Sequence, residues 1–144
     1  MKRRAYLAAL GSGGLAGLAG CTTLGRIGIA PGEEDDYDIG MTRNEFLPRE
    51  YEATVGETVV WKNTSGSIHT VTAYENAIPD DAEYFASGGF ENEEVARQAW
   101  ADDIGGGFDT RETYEHTFDV PGTYSYVCLP HEPGGMVGTV VVTE

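Results

Sequence analysis

The sequence predicts an all-β domain, a sandwich or barrel of short strands. Three observations carry that expectation. Apolar residues recur at every second position in several stretches after Ile39, as with Val59 and Trp61 in Thr58-Val59-Val60-Trp61-Lys62, which is the period of a half-buried strand. Turn signals such as Pro121-Gly122 separate these stretches at short intervals, the spacing of sandwiches and barrels. Glycine makes up 20 of the 144 residues, which multiplies turns and leaves little room for long helices. A chain of this length forms one ordinary domain of about 100–150 residues. With 40% apolar residues, and 2 Trp, 8 Tyr and 5 Phe, it has the material for a core that a disordered acidic chain lacks.

Taken from the start, residues 1–20 read as an export signal outside the fold. Met1-Lys2-Arg3-Arg4 is a positive head, and Ala5 to Gly20 is a weakly apolar, glycine-rich run, shorter than the roughly 20 residues that span a bilayer. Arg3-Arg4-Ala5-Tyr6-Leu7 resembles a twin-arginine export signal. Leu18-Ala19-Gly20-Cys21 resembles a lipobox, which makes Cys21 the expected lipidated first residue of the mature protein. A diacylglyceryl group there would supply the two chains that stable anchoring takes. Residues 21–38 follow as an acidic tether ending in Glu33-Glu34-Asp35-Asp36-Tyr37-Asp38, a composition that repels itself and stays extended.

The folded domain is expected over residues 39–144. After the Thr58 stretch, Glu112 to Phe118 places Tyr114, His116 and Phe118 on one face. Thr123 to Cys128 places Tyr124, Tyr126 and Cys128 on one face, and Met136 to Thr143 is a closing valine-rich strand. Residues 79–107 interrupt the pattern. Glu91 to Trp100 has helix formers with acids in its first turn, favoured by the helix dipole, and Val95, Ala99 and Trp100 are the residues expected to pack it on the sandwich. Gly105-Gly106-Gly107 reads as a flexible turn, since no Lys-Ser or Lys-Thr follows to make a phosphate loop.

Charge excludes more than it identifies. The chain carries 24 acidic and 9 basic residues, a formal charge of −15. Removing residues 1–20 takes away Lys2, Arg3 and Arg4 and leaves 24 acidic against 6 basic, or −18. Nucleic acid is not the expected partner, because phosphate binding needs clustered Lys and Arg. Adsorption to anionic lipid through a basic face is disfavoured for the same reason.

The chemistry gathers at Cys128-x2-His131-x4-Met136, with His69 upstream in Ser67-Ile68-His69-Thr70-Val71. Cys128 ends one strand, His131 lies in a loop and Met136 begins the next strand. Two imidazoles, a thiolate and a thioether are the donor set of a blue-copper site, a trigonal His2Cys plane with a weak axial Met. Soft sulfur and borderline imidazole together satisfy both copper oxidation states, and a rigid β scaffold keeps the site from rearranging between them. Other readings of the same residues are a buried free thiol, a Cys21–Cys128 disulfide, or a zinc site. The third histidine, His116, is expected to be a packed, hydrogen-bonded structural residue.

Residues 124–138, Tyr-Ser-Tyr-Val-Cys-Leu-Pro-His-Glu-Pro-Gly-Gly-Met-Val-Gly, resemble the copper loop of plastocyanins, whose C-x2-H-x4-M spacing they share. The halocyanins, membrane-attached blue copper proteins of halophilic archaea, resemble this chain more closely still. Val55 to Trp61, Ile78 to Ala82, and Tyr114 to Phe118 with Val120 to Tyr124 extend the likeness over roughly residues 39–143. The resemblance implies a cupredoxin-like Greek-key β-sandwich of eight strands with one copper ion at one end, held by His69, Cys128, His131 and Met136. It implies a one-electron carrier with no catalytic residue, a monomer passing electrons between membrane-bound donor and acceptor proteins. Copper trafficking or storage is the alternative. An oxidase or reductase would need a second copper site, for which only His116 is spare.

Two positions depart from the plastocyanin pattern. Thr70 stands where plastocyanins have Asn after the first histidine, so bracing of the thiolate loop is not assured there. Val127 stands where they have Tyr before the Cys, which leaves the His131 edge as the expected way out for the electron. Leu129, Pro130, Pro133 and Ile68 are its expected apolar rim. The excess of acid reads as adaptation to brine, since molar salt screens charges within a few ångströms.

Overall fold

Burial along β4 (Glu57–Asn63) follows the alternation directly: Val59, Trp61 and Asn63 point inward while Thr58 faces water. The computed structural model describes residues 36–144; residues 1–20, Cys21 and the tether as far as residue 35 lie outside the described residues. Asp38 fastens the start of the described domain to β4: its backbone N–H donates to the Val60 carbonyl (2.8 Å) and its carboxylate accepts from the Val60 N–H (2.8 Å).

Beside β4 run β1 (Ile39–Met41), parallel to it, and β6 (Thr113–Phe118), antiparallel with Trp61 opposite Tyr114 and Val59 opposite His116. With β2 (Phe46–Leu47) they make a sheet in the order β2-β1-β4-β6. A second four-stranded sheet has the order β3-β8-β7-β5, formed by β3 (Glu50–Thr54), β5 (Thr72–Ala73), β7 (Gly122–Val127) and β8 (Val137–Thr143). These are the eight strands and two layers of the cupredoxin-like sandwich.

The two layers meet through aromatic side chains. Trp61, fully buried, crosses Tyr126 of the facing sheet edge-on at 5.4 Å and lies 5.6 Å from Tyr114 and 6.1 Å from Phe85. Tyr126 is also met edge-on by Phe46 at 4.7 Å. Gly138 sits opposite Tyr126 in the β7–β8 ladder, and a Cβ there would lie 2.5 Å from the phenol oxygen. Glycine at this position is what lets the ring lie flat against β8.

The helix is α1 (Glu93–Asp103), capped by the Asn92 side chain, which accepts from the Val95 N–H at 2.9 Å. Its packing face differs from the one expected. Ala96 is the buried residue, while Val95 is 40% exposed and Ala99 and Trp100 are partly covered. A small side chain lets the helix approach closely, and that rotation turns its neighbour Arg97 along the surface. The glycine run after α1 is a close contact instead of a loose turn. A Cβ at Gly107 would meet Ile68 at 2.7 Å, and the next residue, Phe108, pairs with His69.

His116 is packed as expected, but between rings: it stacks on Phe85 (4.7 Å, 18°) and meets Phe118 edge-on (4.8 Å). Its ring makes no hydrogen bond among the described residues. It borders a cavity of about 390 Å³ with Glu83, Phe90 and Tyr114, which shares no residue with the donor cluster.

Candidate metal centre

Register brings the donors together. Val127 and Val137 are paired at the end of the β7–β8 ladder, and just beyond it the Cys128 N–H donates to the Met136 carbonyl (3.0 Å). Of the seven residues between, the first six make a short 3-10 segment, Leu129–Gly134, kinked at His131 (φ −115°, ψ 16°), and Gly135 closes it at φ 85°. Positive φ favours glycine there. The His131 N–H donates back to the Cys128 carbonyl (3.1 Å), and the Met136 N–H to the His131 carbonyl (3.3 Å). Cys128, His131 and Met136 are therefore tied to one another through the main chain.

His69 comes from another part of the chain. It forms an isolated bridge with Phe108 (His69 N–H to Phe108 carbonyl 3.3 Å, Phe108 N–H to His69 carbonyl 2.9 Å), three residues before β5 begins. Its Nδ1 lies 3.3 Å from the Cys128 Sγ, and the His131 Nδ1 lies 3.4 Å from the same sulfur. All three donor atoms fall within 4.8 Å of one another, a span that one ion can fill. Cys128 and His69 are fully buried and Met136 is 1% exposed, while His131 is half-buried. Thiolate, two imidazoles and a thioether suit copper, and the fit is in the donors themselves.

Three residues around the donors, Ser65, Asn63 and Thr70, support the cluster through contacts that the local sequence does not mark. Ser65 Oγ donates to the Asn63 Oδ1 (2.9 Å), so it accepts from His69 Nε2–H (2.9 Å). That assignment leaves the His69 Nδ1 lone pair facing the thiol, the usual service of an outer hydrogen bond to a metal-binding imidazole. Asn63, buried at the end of β4, donates to the Ser67 carbonyl (2.6 Å) and the Phe108 carbonyl (3.0 Å) and so frames the His69 turn. Asn63-Thr64-Ser65-Gly66-Ser67 was legible as a polar turn, but nothing in it points at a ring 4 residues on. Thr70 is the third. Its buried hydroxyl accepts the Leu129 N–H (2.9 Å), bracing the loop that the substitution had left in doubt.

Burial governs the protonation states. It pushes the Cys128 thiol up to about 11, against hydrogen bonds from Thr70 and His131 that favour the thiolate. Metal uptake at neutral pH must therefore release the thiol proton. Burial, then the neighbouring His131, lower His69 to about 4, and burial lowers His116 as well. Both histidines fold neutral, and their unfolded value is 6.5. In the window between the folded and unfolded values the unfolded chain binds more protons, so stability falls as pH falls. The metal-free protein is expected to lose stability between pH 6.5 and about 4. Urea midpoints measured across that window check this, and His116→Phe should flatten the slope.

A family model described as copper binding proteins, plastocyanin/azurin family, matches residues 34–143. The chain is 31% identical over 129 residues to the chloroplastic plastocyanin major isoform of Arabidopsis thaliana, covering 90% of this chain and 70% of that protein. It is 33% identical over 97 residues to the chloroplastic plastocyanin of Hordeum vulgare, covering 67% of this chain and 54% of that protein. Among solved structures, a purple cupredoxin from Nitrosopumilus maritimus superposes with a TM-score of 0.51 at 22% identity, covering 75% of this chain and 100% of that one. That likeness speaks for the fold, and the family match together with the donor set speaks for the metal. This chain belongs to the plastocyanin/azurin family of copper-binding proteins.

Proposed function

We propose that this protein is a membrane-anchored, one-electron carrier with a type 1 copper site held by His69, Cys128, His131 and Met136. The observation that carries the reading is the convergence of both imidazole Nδ1 atoms on one buried sulfur, at 3.3 and 3.4 Å. Bound copper supplies a one-electron couple at this site. The protein's own residues do the rest. Ser65 bonds His69 directly, and Asn63 and Thr70 hold the segments that carry His69 and follow Cys128, by hydrogen bonds that need not change with oxidation state, which keeps reorganisation small. No proton-transfer group takes part. His131 is the donor that reaches the surface, so its ring edge is the route for the electron. The apolar residues near it in the chain are half-buried Pro130 and exposed Pro133, with the 37%-exposed Ile68 beside His69, while Leu129, expected in the rim, is buried. Storage or trafficking is less well served, because the sulfur donors are closed off from a chaperone.

Titration with Cu(II) tests this. An intense blue thiolate-to-copper charge-transfer band that disappears reversibly on reduction is expected. A colourless protein that prefers Zn(II) would sink the reading.

The halocyanin-like assignment adds a cellular setting. Export through the twin-arginine-like head, lipidation at Cys21 and an acidic tether would hold the domain at the outer face of the membrane, between membrane-bound redox donor and acceptor proteins. Among the described residues no helix is long and apolar enough to cross a membrane. Cys21→Ser should release the protein from membranes into the medium. Retention on membranes would refute the lipid anchor. The charge of −18 expected after cleavage fits solubility in brine better than docking by long-range attraction, which molar salt suppresses.

A further inference from the structure

Both ion pairs found among the described residues belong to one side chain, Arg97 of α1. Its Nε donates to the Glu93 carboxylate at 2.8 Å, one turn earlier. Its two terminal nitrogens donate side by side to Glu132, Nη1 to Oε1 at 2.8 Å and Nη2 to Oε2 at 3.1 Å. The Tyr74 hydroxyl donates to the same Oε2 at 3.0 Å, and the guanidinium lies 6.0 Å from the Tyr74 ring centre. Glu132 directly follows His131 in the kinked 3-10 segment.

The helix end of this arrangement is itself fastened. The Glu75 N–H donates to Glu93 Oε1 (2.8 Å) and the Glu93 N–H to Glu75 Oε1 (3.2 Å). Glu75 begins the 3-10 turn Glu75–Ala77, two residues after β5. Arg97 thus joins three separate pieces, the start of α1, the turn after β5 and the metal loop.

As a source of stability this pair is weak. The side chains of Arg97 and Glu132 are 38% and 35% exposed, and exposed ion pairs contribute little. What a bidentate fork adds is direction, because a planar guanidinium fixes a carboxylate in two contacts at once. The loop needs direction: His69, in the same cluster, is held by Ser65, whereas no side-chain hydrogen bond to the His131 ring other than the Cys128 contact exists among the described residues. Apart from that contact, His131 is held through its backbone among the described residues, and Arg97 grips the next residue.

We propose that Arg97 is a positioning residue for the metal loop: acting through Glu132, with Tyr74, it fixes the turn that presents His131 and so sets how firmly copper is held. This deepens the copper reading above and rests on it. The insertion that carries α1, which interrupts the strand pattern, thereby has a use at the site.

Three measurements on the full chain test it, comparing wild type with Arg97→Gln and Arg97→Lys. Copper loss to a chelator should be about tenfold faster in Arg97→Gln, the lower end of what outer-shell changes cost a metal site. Arg97→Lys, which keeps charge but loses the fork, should fall between. The reduction potential and visible spectrum should shift in Arg97→Gln, which a purely structural role would not require. In the metal-free protein, amide exchange of residues 129–134 should quicken while β4, β7 and β8 stay protected. Unchanged copper loss, spectrum and loop exchange would overturn the proposal. If Arg97→Gln also loosens α1, Glu132→Gln decides, because it leaves the Arg97–Glu93 pair in place; wild-type copper retention there overturns the proposal. A wild-type protein that never turns blue fails the copper reading instead, and the metal-free exchange measurement still judges the clamp.

Discussion

Cys128→Ser is expected to abolish the blue band and to weaken copper binding by more than the roughly 10–100-fold that changes outside the ligand shell cost. The sulfur lies 3.3 and 3.4 Å from the two imidazole Nδ1 atoms, and Cys128 is fully buried. A serine hydroxyl is harder and far less acidic than the thiol, so at neutral pH it offers neither a soft anion nor a sulfur orbital for charge transfer. The fold should survive. Serine is close in size, and its hydroxyl lands near two ring nitrogens with which it can hydrogen-bond, so the metal-free variant should lose only about 1 kcal/mol. Visible absorption during Cu(II) titration, with urea unfolding of the metal-free form as the control, separates the two effects. Blue colour retained by the serine variant would rule out Cys128 as the ligand.

Trp61→Ala should cost about 3–5 kcal/mol, the range for removing a large aromatic from a core. The indole joins the two sheets, meeting Tyr126 on one side and Tyr114, Phe85 and Phe118 on the other at 5.4 to 6.4 Å. A loss of that size is a large part of the roughly 5–15 kcal/mol that holds a domain folded. The metal-free variant should therefore melt far below wild type or fail to fold. Trp61→Phe gives the comparison. Among the described residues the indole Nε1 makes no hydrogen bond of ordinary length, and its polar neighbour is the equally unpaired Tyr126 hydroxyl, so phenylalanine forfeits at most a weak polar contact and should cost much less than alanine. Thermal unfolding of the three metal-free proteins checks the order. Equal losses for Phe and Ala would show that the indole's specific shape, beyond its apolar bulk, is what the core requires.

Much of the domain was legible because its signals are local. Period-two alternation marked β4, β6, β7 and β8, and the Cys128-to-Met136 spacing marked a loop that hairpin pairing closes on itself. The helix was legible in place but not in orientation. Val95 carries more apolar surface than Ala96, yet the close approach to the sandwich selects the smaller residue, so Ala96 is buried and Val95 is exposed. His116 was legible as packed but not in its partners, which are the rings of Phe85 and Phe118 where a hydrogen-bonding group was expected. Phe85 is 31 positions away in sequence and in no strand, which no periodicity connects to β6.

By itself the sequence determined the donor set, the strand-loop-strand frame around Cys128, His131 and Met136, and the acidic charge. Each depends on residues adjacent in the chain or on simple sums over it. The tertiary structure alone decided the parts that depend on distant segments meeting: the distance of His69 from the sulfur, the Ser65 bond that selects its tautomer, the Thr70 hydroxyl under Leu129, and the reach of Arg97 to Glu132. Hydrogen bonds act over about 3 Å, and which atoms come that close is settled only when two sheets and an inserted helix have packed.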